Sequence, residues 1–327
     1  MQIEITAQYS GMSIKSYLYG ILHLSTRIVT RLKYQSEGQG ILINGQAVSV
    51  RHVLREGERL ALRLEDAAPS ENIVPAGELP PILYEDEELL VLDKPPLMPS
   101  HPTHGHREDT AANAVVAYYQ RQGIPFVFRC GSRLDRDTSG VLPIAKNQQT
   151  ANCFYRAHRA GAIEKYYLAF LCGVLSPREG EIALSVARRT DSVMMRTASE
   201  DGAAALTRYR TLLQGKTAQG EVLSLVLARP VTGRTHQLRV HFAISGCPIL
   251  ADTLYGTAHP LMARQALHAA ALRFAHPKTG QQLLFCAPLP ADFCRVLSAC
   301  FGKEEAARLF EDKSGQGLIL RQEVLDL

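Results

Sequence analysis

The sequence predicts an α+β protein in two parts: a small helix-helix-sheet unit, then a larger body built on a mixed, mostly antiparallel sheet flanked by helices. Three observations carry this expectation. Residues 1–65 hold two short helical patterns followed by strand-like runs around glycine turns. Residues 66–80, DAAPSENIVPAGELP, have no sustained periodicity and are rich in proline, alanine and polar residues, as an interdomain linker is. Beyond residue 80, apolar strand-like runs recur with helices between only some of them, so no regular strand-helix-strand rhythm repeats.

Taken in chain order, residues 12–22 and 26–34 each place apolar side chains at helical spacing: Leu18, Ile21 and Leu22, then Ile28, Val29 and Leu32. Ser25 stands where it could cap the second helix. ILINGQAV at 41–48 puts strands around an Asn44-Gly45 turn, and residues 59–64 alternate as a further strand after Glu56-Gly57. PILYEDEELLVLDKPP has apolar strands on both sides of an acidic turn at 85–88, and strand-like runs follow at 141–145, 166–171, 223–227 and 283–285. Helices are expected over 109–122 and 150–161, and residues 303–327 read as a helix plus a polar tail. The expected division is therefore 1–65, a linker at 66–80, a main body at 81–300 and a C-terminal appendage at 301–327.

Composition narrows the function classes. With 327 residues, 46% of them hydrophobic and no long apolar run, no membrane span fits. The start, MQIEITAQYS, lacks a basic-then-apolar export pattern, so a cytoplasmic location is expected. Seven cysteines at 130, 153, 172, 247, 286, 294 and 300 form no Cys-x-x-Cys pair and read as reduced structural thiols. A net charge of +4 says little about partners, but residues 1–65 carry eight Lys or Arg against five Glu. Gly215-Lys216-Thr217 ends like a phosphate loop, yet Arg210 stands where the leading glycine is needed. Dinucleotide, nucleophile-elbow and His-Glu-x-x-His patterns are missing from the sequence. His101, His104 and His106 in HPTHGH lack an accompanying carboxylate or cysteine arrangement, so loop or substrate contacts are expected there and no metal.

Three polar segments remain: SRLDRDTSGVLPIAK at 132–146, EKYYLAFLCG at 164–173 and RPVTGRTHQLRVHF at 229–242. The first sets Asp135 between Arg133 and Arg136 just before a Thr138-Ser139-Gly140 turn. A carboxylate near guanidinium groups stays ionised, which suits a nucleophile or base and not an acid. The third alternates Arg234, His236, Arg239 and His241 with Thr235, Leu238 and Val240, donors enough to hold phosphate or to pair a carboxylate.

Together these segments resemble the RluA-type family of pseudouridine synthases. The family signature His-Arg-Leu-Asp-x-x-Thr-Ser-Gly, leading into an apolar strand that ends Ala-Lys, is matched by SRLDRDTSGVLPIAK at all but its first position. Lys-x-Tyr-x-Ala follows as Lys165, Tyr167 and Ala169, and Gly-Arg-x-His-Gln-Leu-Arg-x-His as residues 233–241. LDKPPLMPSHP, CPILADTLYG, LHAAALRFAHPKTG and FCAPLPADF extend the likeness from about residue 81 to 293. The N-terminal unit resembles the αL-type RNA-binding domain, and that arrangement before such a body is also familiar in the family.

The resemblance implies isomerisation of particular uridines to pseudouridine in structured RNA, with large-subunit ribosomal RNA foremost and transfer RNA second. It makes Asp135 the catalytic aspartate, Tyr167 the ring-stacking, proton-handling tyrosine and Arg239 the partner of the Asp135 carboxylate. Arg133, Thr138, Arg234, His236 and Gln237 become substrate contacts, and Arg27, Arg31, Lys33 and Arg51 the RNA contacts of the first unit, helical spacing placing Arg27 and Arg31 on one face. The reaction changes no redox state and adds no atom, so no cofactor is expected, and a monomer is. Ser132 stands where the family has histidine, which bears on the target more than on the chemistry. The rival expectation is an RNA-binding or ribosome-assembly protein on the same fold without turnover.

Overall fold

The computed structural model describes residues 2–22, 24, 26–34, 40–63, 73–192, 194–312 and 317–326, with the side chain of Arg27 excepted. Ser25, the expected cap, and 66–72 of the expected linker lie outside the described residues.

The first unit opens with a strand that periodicity did not reveal, β1 (Gln2–Glu4), followed by α1 (Ile14–Ser16), which widens into a π-helical turn over Tyr17–Ile21. Ser13 caps α1 by accepting from the Ser16 N–H. Next come α2 (Thr26–Tyr34), β2 (Ile41–Ile43), β3 (Gln46–Ala47) and β4 (Arg59–Leu62), the strands forming a sheet in the order β1-β4-β2-β3. The β2-β3 turn has positive φ at both Asn44 (49°) and Gly45 (84°), the primed-turn geometry that an Asn-Gly pair adopts most readily. Ile14, Leu18, Val29, Leu32, Leu54 and Leu60 close a core separate from that of the rest of the chain. The unit thus buries its own apolar face, as an autonomous module must.

The larger body is organised by one nine-stranded sheet. Its strands are β5 (Ile82–Glu85), β6 (Leu89–Lys94), β7 (Ser139–Ala145), β8 (Glu164–Cys172), β9 (Glu179–Ala183), β12 (Leu206–Lys216), β13 (Val222–Pro230), β14 (Leu267–Ala275) and β15 (Gln282–Cys286), with a small hairpin of β10 (Val186–Arg188) and β11 (Arg196–Ala198) beside it. The order is β5-β6-β7-β14-β8-β13-β12-β9, with β15 pairing β14. Only β7 and β14 run parallel; the other described pairs are antiparallel, as the missing strand-helix-strand rhythm implied. The expected 85–88 turn links β5 to β6, and Asp86 holds it by accepting from the Glu88 and Leu89 N–H groups.

Helices α3 (Ala111–Arg121), α4 (Gln148–Arg159), α5 (Gln237–Ile244), α6 (Ala291–Cys300) and α7 (Lys303–Leu309) complete the body. Thr110 and Asn113 form a reciprocal capping box on α3, and Asn147 caps α4. Two expectations need correction. The C-terminal segment is not a polar tail after a helix: β16 (Phe310–Asp312) and β17 (Leu318–Leu320) pair, and Phe310, Leu320 and Leu325 enter the main core. Residues 73–80 are not free linker either, since Ile73 is buried in that core and Asn113 binds the Val74 and Ala76 backbone. The anchoring is done by short apolar stretches such as Ile73-Val74, Leu309-Phe310 and Leu318 to Leu320, each too short to register as periodicity.

Candidate active site

The 130–139 loop delivers Asp135 to the start of β7. Gly140, with φ at +110°, permits this: a Cβ there would lie 2.2 Å from the Ala269 carbonyl oxygen, so only glycine lets β7 and β14 meet. The Asp135 side chain retains 30% of its exposure, enough for a ligand to reach it. Arg239 Nη1, from α5, donates to its Oδ2 at 3.3 Å, and His236 Nε2 stands 3.7 Å from the same oxygen. Of the residues in the alternating 229–242 pattern, Arg239 and His236 converge on Asp135, whereas Arg234 rests on the Ala204 carbonyl and His241 on that of Leu184. His236 occupies the left-handed region (φ 57°) just before α5, which turns the chain so that the first helical turn faces the carboxylate.

Arg239 has a stronger partner that sequence reasoning did not assign. Its Nε and Nη2 donate to Asp252 Oδ2 and Oδ1 at 2.7 and 2.8 Å, a fork-to-fork pair with a fully buried carboxylate. Asp252 is itself braced by the Leu254 and Tyr255 N–H groups. The guanidinium lies 5.2 Å over the Tyr255 ring, and the Tyr255 hydroxyl lies 2.9 Å from His236 Nδ1 while accepting from the Arg196 N–H. Burial opposes the charge on Arg239, but Asp252 and Asp135 outweigh it and its pKa is raised. Asp252 thus aims Arg239, leaving its Nη1 turned to Asp135. Its only sequence signal was its place in CPILADTLYG.

Tyr167 lies on β8, opposite Ala269 of β14 and Ala228 of β13, and is buried. Burial, then the nearby Asp135 carboxylate and Cys130, push its phenol far above the ordinary tyrosine range, so it stays protonated. It can stack on a ring or hand on a proton, but does not stand by as a phenolate.

The Asp135 loop is held from both sides. Ser100 Oγ donates to the Leu134 carbonyl, the Thr138 N–H to that of Asp135, Lys94 Nζ to that of Arg136, and Arg264 Nη1 to that of Asp137, at 2.7, 3.1, 3.1 and 2.7 Å. Four consecutive carbonyls are thereby satisfied. Lys94 is fully buried and also donates to the Pro95 and Met98 carbonyls, both at 2.8 Å. Burial, then Arg264, pull its pKa down to about 7. Three carbonyl acceptors nonetheless call for three N–H donors, which only the ammonium has. Arg264 is anchored by a bidentate pair with Asp292 and donates to Ser139 Oγ, which in turn faces His268 Nδ1 at 2.9 Å. Burial drives the His268 pKa down to about 3, so the ring is neutral. The LDKPP stretch contains Lys94, but a lysine beside an exposed-looking turn gives no hint of full burial.

The other expected contacts fall into two groups. Arg133 and Arg234 are exposed, Arg234 resting its Nε on the Ala204 carbonyl, while Lys33 and Arg51 are exposed and Arg31 half-buried on the first unit. The Arg27 side chain lies outside the described residues. Gln237 and Thr138, by contrast, are buried. The Gln237 amide is spent on Thr232, the Arg234 N–H, the Leu206 carbonyl and Thr207, so it ties β12 to the α5 turn and has no group left over for RNA. Ser132 accepts from the Cys130 thiol through its carbonyl, and His106 is turned to Asp109 at 2.5 Å.

The sequence profile described as RNA pseudouridylate synthase matches residues 88–244, which include Asp135, Tyr167 and Arg239. The uncharacterized RNA pseudouridine synthase YjbO of Bacillus subtilis (strain 168) is 35% identical over 286 residues, 88% of this chain and 98% of its own length. Ribosomal large subunit pseudouridine synthase D of Xanthomonas campestris is 32% identical over 303 residues, covering 86% of this chain and 87% of that protein. Among solved structures, human RNA pseudouridylate synthase domain containing 1 aligns with a TM-score of 0.52 and 29% identity over 64% of this chain and 83% of that one. On this likeness, which for YjbO runs nearly end to end, the chain belongs to the RNA pseudouridylate synthase family.

Proposed function

We propose that this protein isomerises particular uridines to pseudouridine in structured RNA, with large-subunit ribosomal RNA as the substrate, working as a monomer in the cytoplasm. The observation that carries the reading is the partly open Asp135 carboxylate, which accepts from an arginine that a buried second carboxylate aims at it. Relatives named for the ribosomal large subunit support the choice of RNA. Among the described residues, no helix is long and apolar enough to cross a membrane.

The chemistry follows from what the side chains offer. The reaction breaks the bond from C1′ to N1, turns the base and forms the bond from C1′ to C5. Asp135 acts at the ribose, as nucleophile at the anomeric carbon or as base beside it, and the Arg239 N–H holds its carboxylate in place for either role. The proton then leaves C5, and the protonated Tyr167 phenol assists as stacking surface and relay. A stacked uridine cannot reach a carboxylate at the foot of β7, so the nucleotide is flipped out, with Arg133, Arg234 and His236 around the opening. Arg27, Arg31, Lys33 and Arg51 grip the RNA backbone through the first unit.

The test is product formation. Pseudouridine mapped in total RNA from cells with and without the protein identifies the target, and Asp135→Asn assayed on that RNA makes no detectable product while still binding it. A wild-type protein that forms none, yet binds as tightly as Asp135→Asn, would leave only the RNA-binding reading standing.

A further inference from the structure

Lys165 stands on β8 two residues before Tyr167, so strand alternation puts both on one face. Its side chain is buried, and its Nζ lies 2.8 Å from His158 Nε2 on α4. The lysine must donate in that contact, so His158 accepts as a neutral ring. Every other buried cation in this body has a compensating arrangement: Lys94 has three carbonyls, Arg239 has Asp252 and Asp135, and Arg264 has Asp292. Lys165 has no carboxylate partner among the described residues. Its near neighbour Cys130 is a neutral thiol, pushed up to about 11 by burial.

The pair lies beneath a position that carries no side chain. Gly233 is exposed and lies over both groups: a Cβ there would sit 3.1 Å from His158 Nε2 and 3.6 Å from Lys165 Nζ. The next residue, Arg234, is exposed and close enough to repel a charge on His158. Burial disfavours the Lys165 ammonium, and a phosphate oxygen reaching it beside Gly233 would relieve that with charge-assisted hydrogen bonds.

We propose that Lys165 and His158, beneath Gly233 and with Arg234 at the rim, form a binding site for one backbone phosphodiester of the RNA strand that carries the target uridine. The proposal rests on the isomerase reading and adds to it where the strand is held. Being on the Tyr167 face of β8, a phosphate fixed here registers the flipped nucleotide against Tyr167 and Asp135. Phosphate is the general chemistry of the site; the RNA backbone is its source.

The experiment uses the full chain and a substrate RNA in which single neutral methylphosphonate linkages are placed one by one around the target uridine. One linkage is expected to weaken wild-type binding about tenfold, the worth of a charged hydrogen bond. Lys165→Met should bind the all-phosphate RNA as weakly, be indifferent to that linkage, and show a salt dependence shallower by about one counterion. Lys165→Arg should recover most of the loss, and Gly233→Ala, a change at an exposed position, should reproduce it by setting a methyl group over both nitrogens. Equal affinity and salt slope for wild type and a folded Lys165→Met overturns the proposal. So does a result in which no linkage distinguishes the two but inorganic phosphate competes with RNA for wild type alone, because the site is then one for a free anion. Pseudouridine is measured in the same samples: its absence with wild type sinks the isomerase reading, while the binding comparison still decides this one.

Discussion

Arg239 divides its guanidinium between two carboxylates, and that division makes Asp252 as consequential as Asp135. Replacing Asp252 with Asn keeps the shape but removes the charge that orients Arg239. The expected result is a fall in kcat of about ten- to a hundredfold with RNA affinity nearly unchanged, typical of losing a group that orients a functional one. A variant with normal kcat would show that Arg239 needs no such support. Tyr167→Phe removes only the hydroxyl, so RNA binding should persist while product formation drops by about a hundredfold or more, the scale of a lost proton-transfer group. An unchanged single-turnover rate would restrict Tyr167 to stacking. At this scale the sequence was most readable where chemistry is concentrated: Asp135 and Arg239 were paired in advance and meet at 3.3 Å. Asp252 was not, because nothing local marks a carboxylate that works through an arginine 13 residues away.

The Asp135 loop is an element without regular structure that is nonetheless rigidly placed, because buried donors take its successive carbonyls. Lys94→Met leaves three carbonyls unsatisfied in a dry interior and should cost on the order of 3 kcal/mol of stability, read as a fall in Tm. If Lys94 positions the loop, kcat will fall more than stability alone explains at a temperature where the variant is fully folded, with RNA affinity preserved. Restoration of Tm by a second, stabilising substitution without recovery of kcat separates positioning from mere folding. Its neighbour on β6 makes a pH prediction. Burial raises the Asp93 pKa to about 6 despite the attraction of Lys94. The folded state therefore holds a proton that the unfolded state releases between pH 3.8 and about 6, so this residue's contribution to stability falls as pH rises through that window and is lowest above it. Asp93→Asn should gain roughly 2 kcal/mol at pH 7 relative to wild type and lose that gain below pH 4, as urea unfolding across pH would show.

Over the whole molecule, the first unit has a core of its own, so the proposed division of RNA grip and chemistry between two parts of the chain can be tested separately. Arg27→Ala with Arg31→Ala should weaken RNA affinity and flatten its salt dependence by about two counterions, leaving turnover on saturating RNA intact. Unchanged affinity would remove the case for the first unit as an RNA clamp. The division was legible in outline, since composition changes near residue 66, but the boundaries were not. Ile73 at one end and Phe310, Leu320 and Leu325 at the other belong to the catalytic body's core, though the apolar stretches that hold them are only two or three residues long. Likewise β14 joins β7 in parallel and β8 antiparallel at the centre of the sheet, a placement set by contacts more than 100 residues apart that no local pattern encodes.

By itself the sequence determined the residue types, the spacing of Asp135, Tyr167 and Arg239, the α+β class and the family, because these depend on local order and on which chemistry each side chain can perform. The tertiary structure alone decided which donors hold the Asp135 loop, which carboxylate aims Arg239, and which buried lysine lacks an anion. Those are properties of burial and pairing between distant segments, and charge compensation in a dry interior exists only once the chain has closed around it.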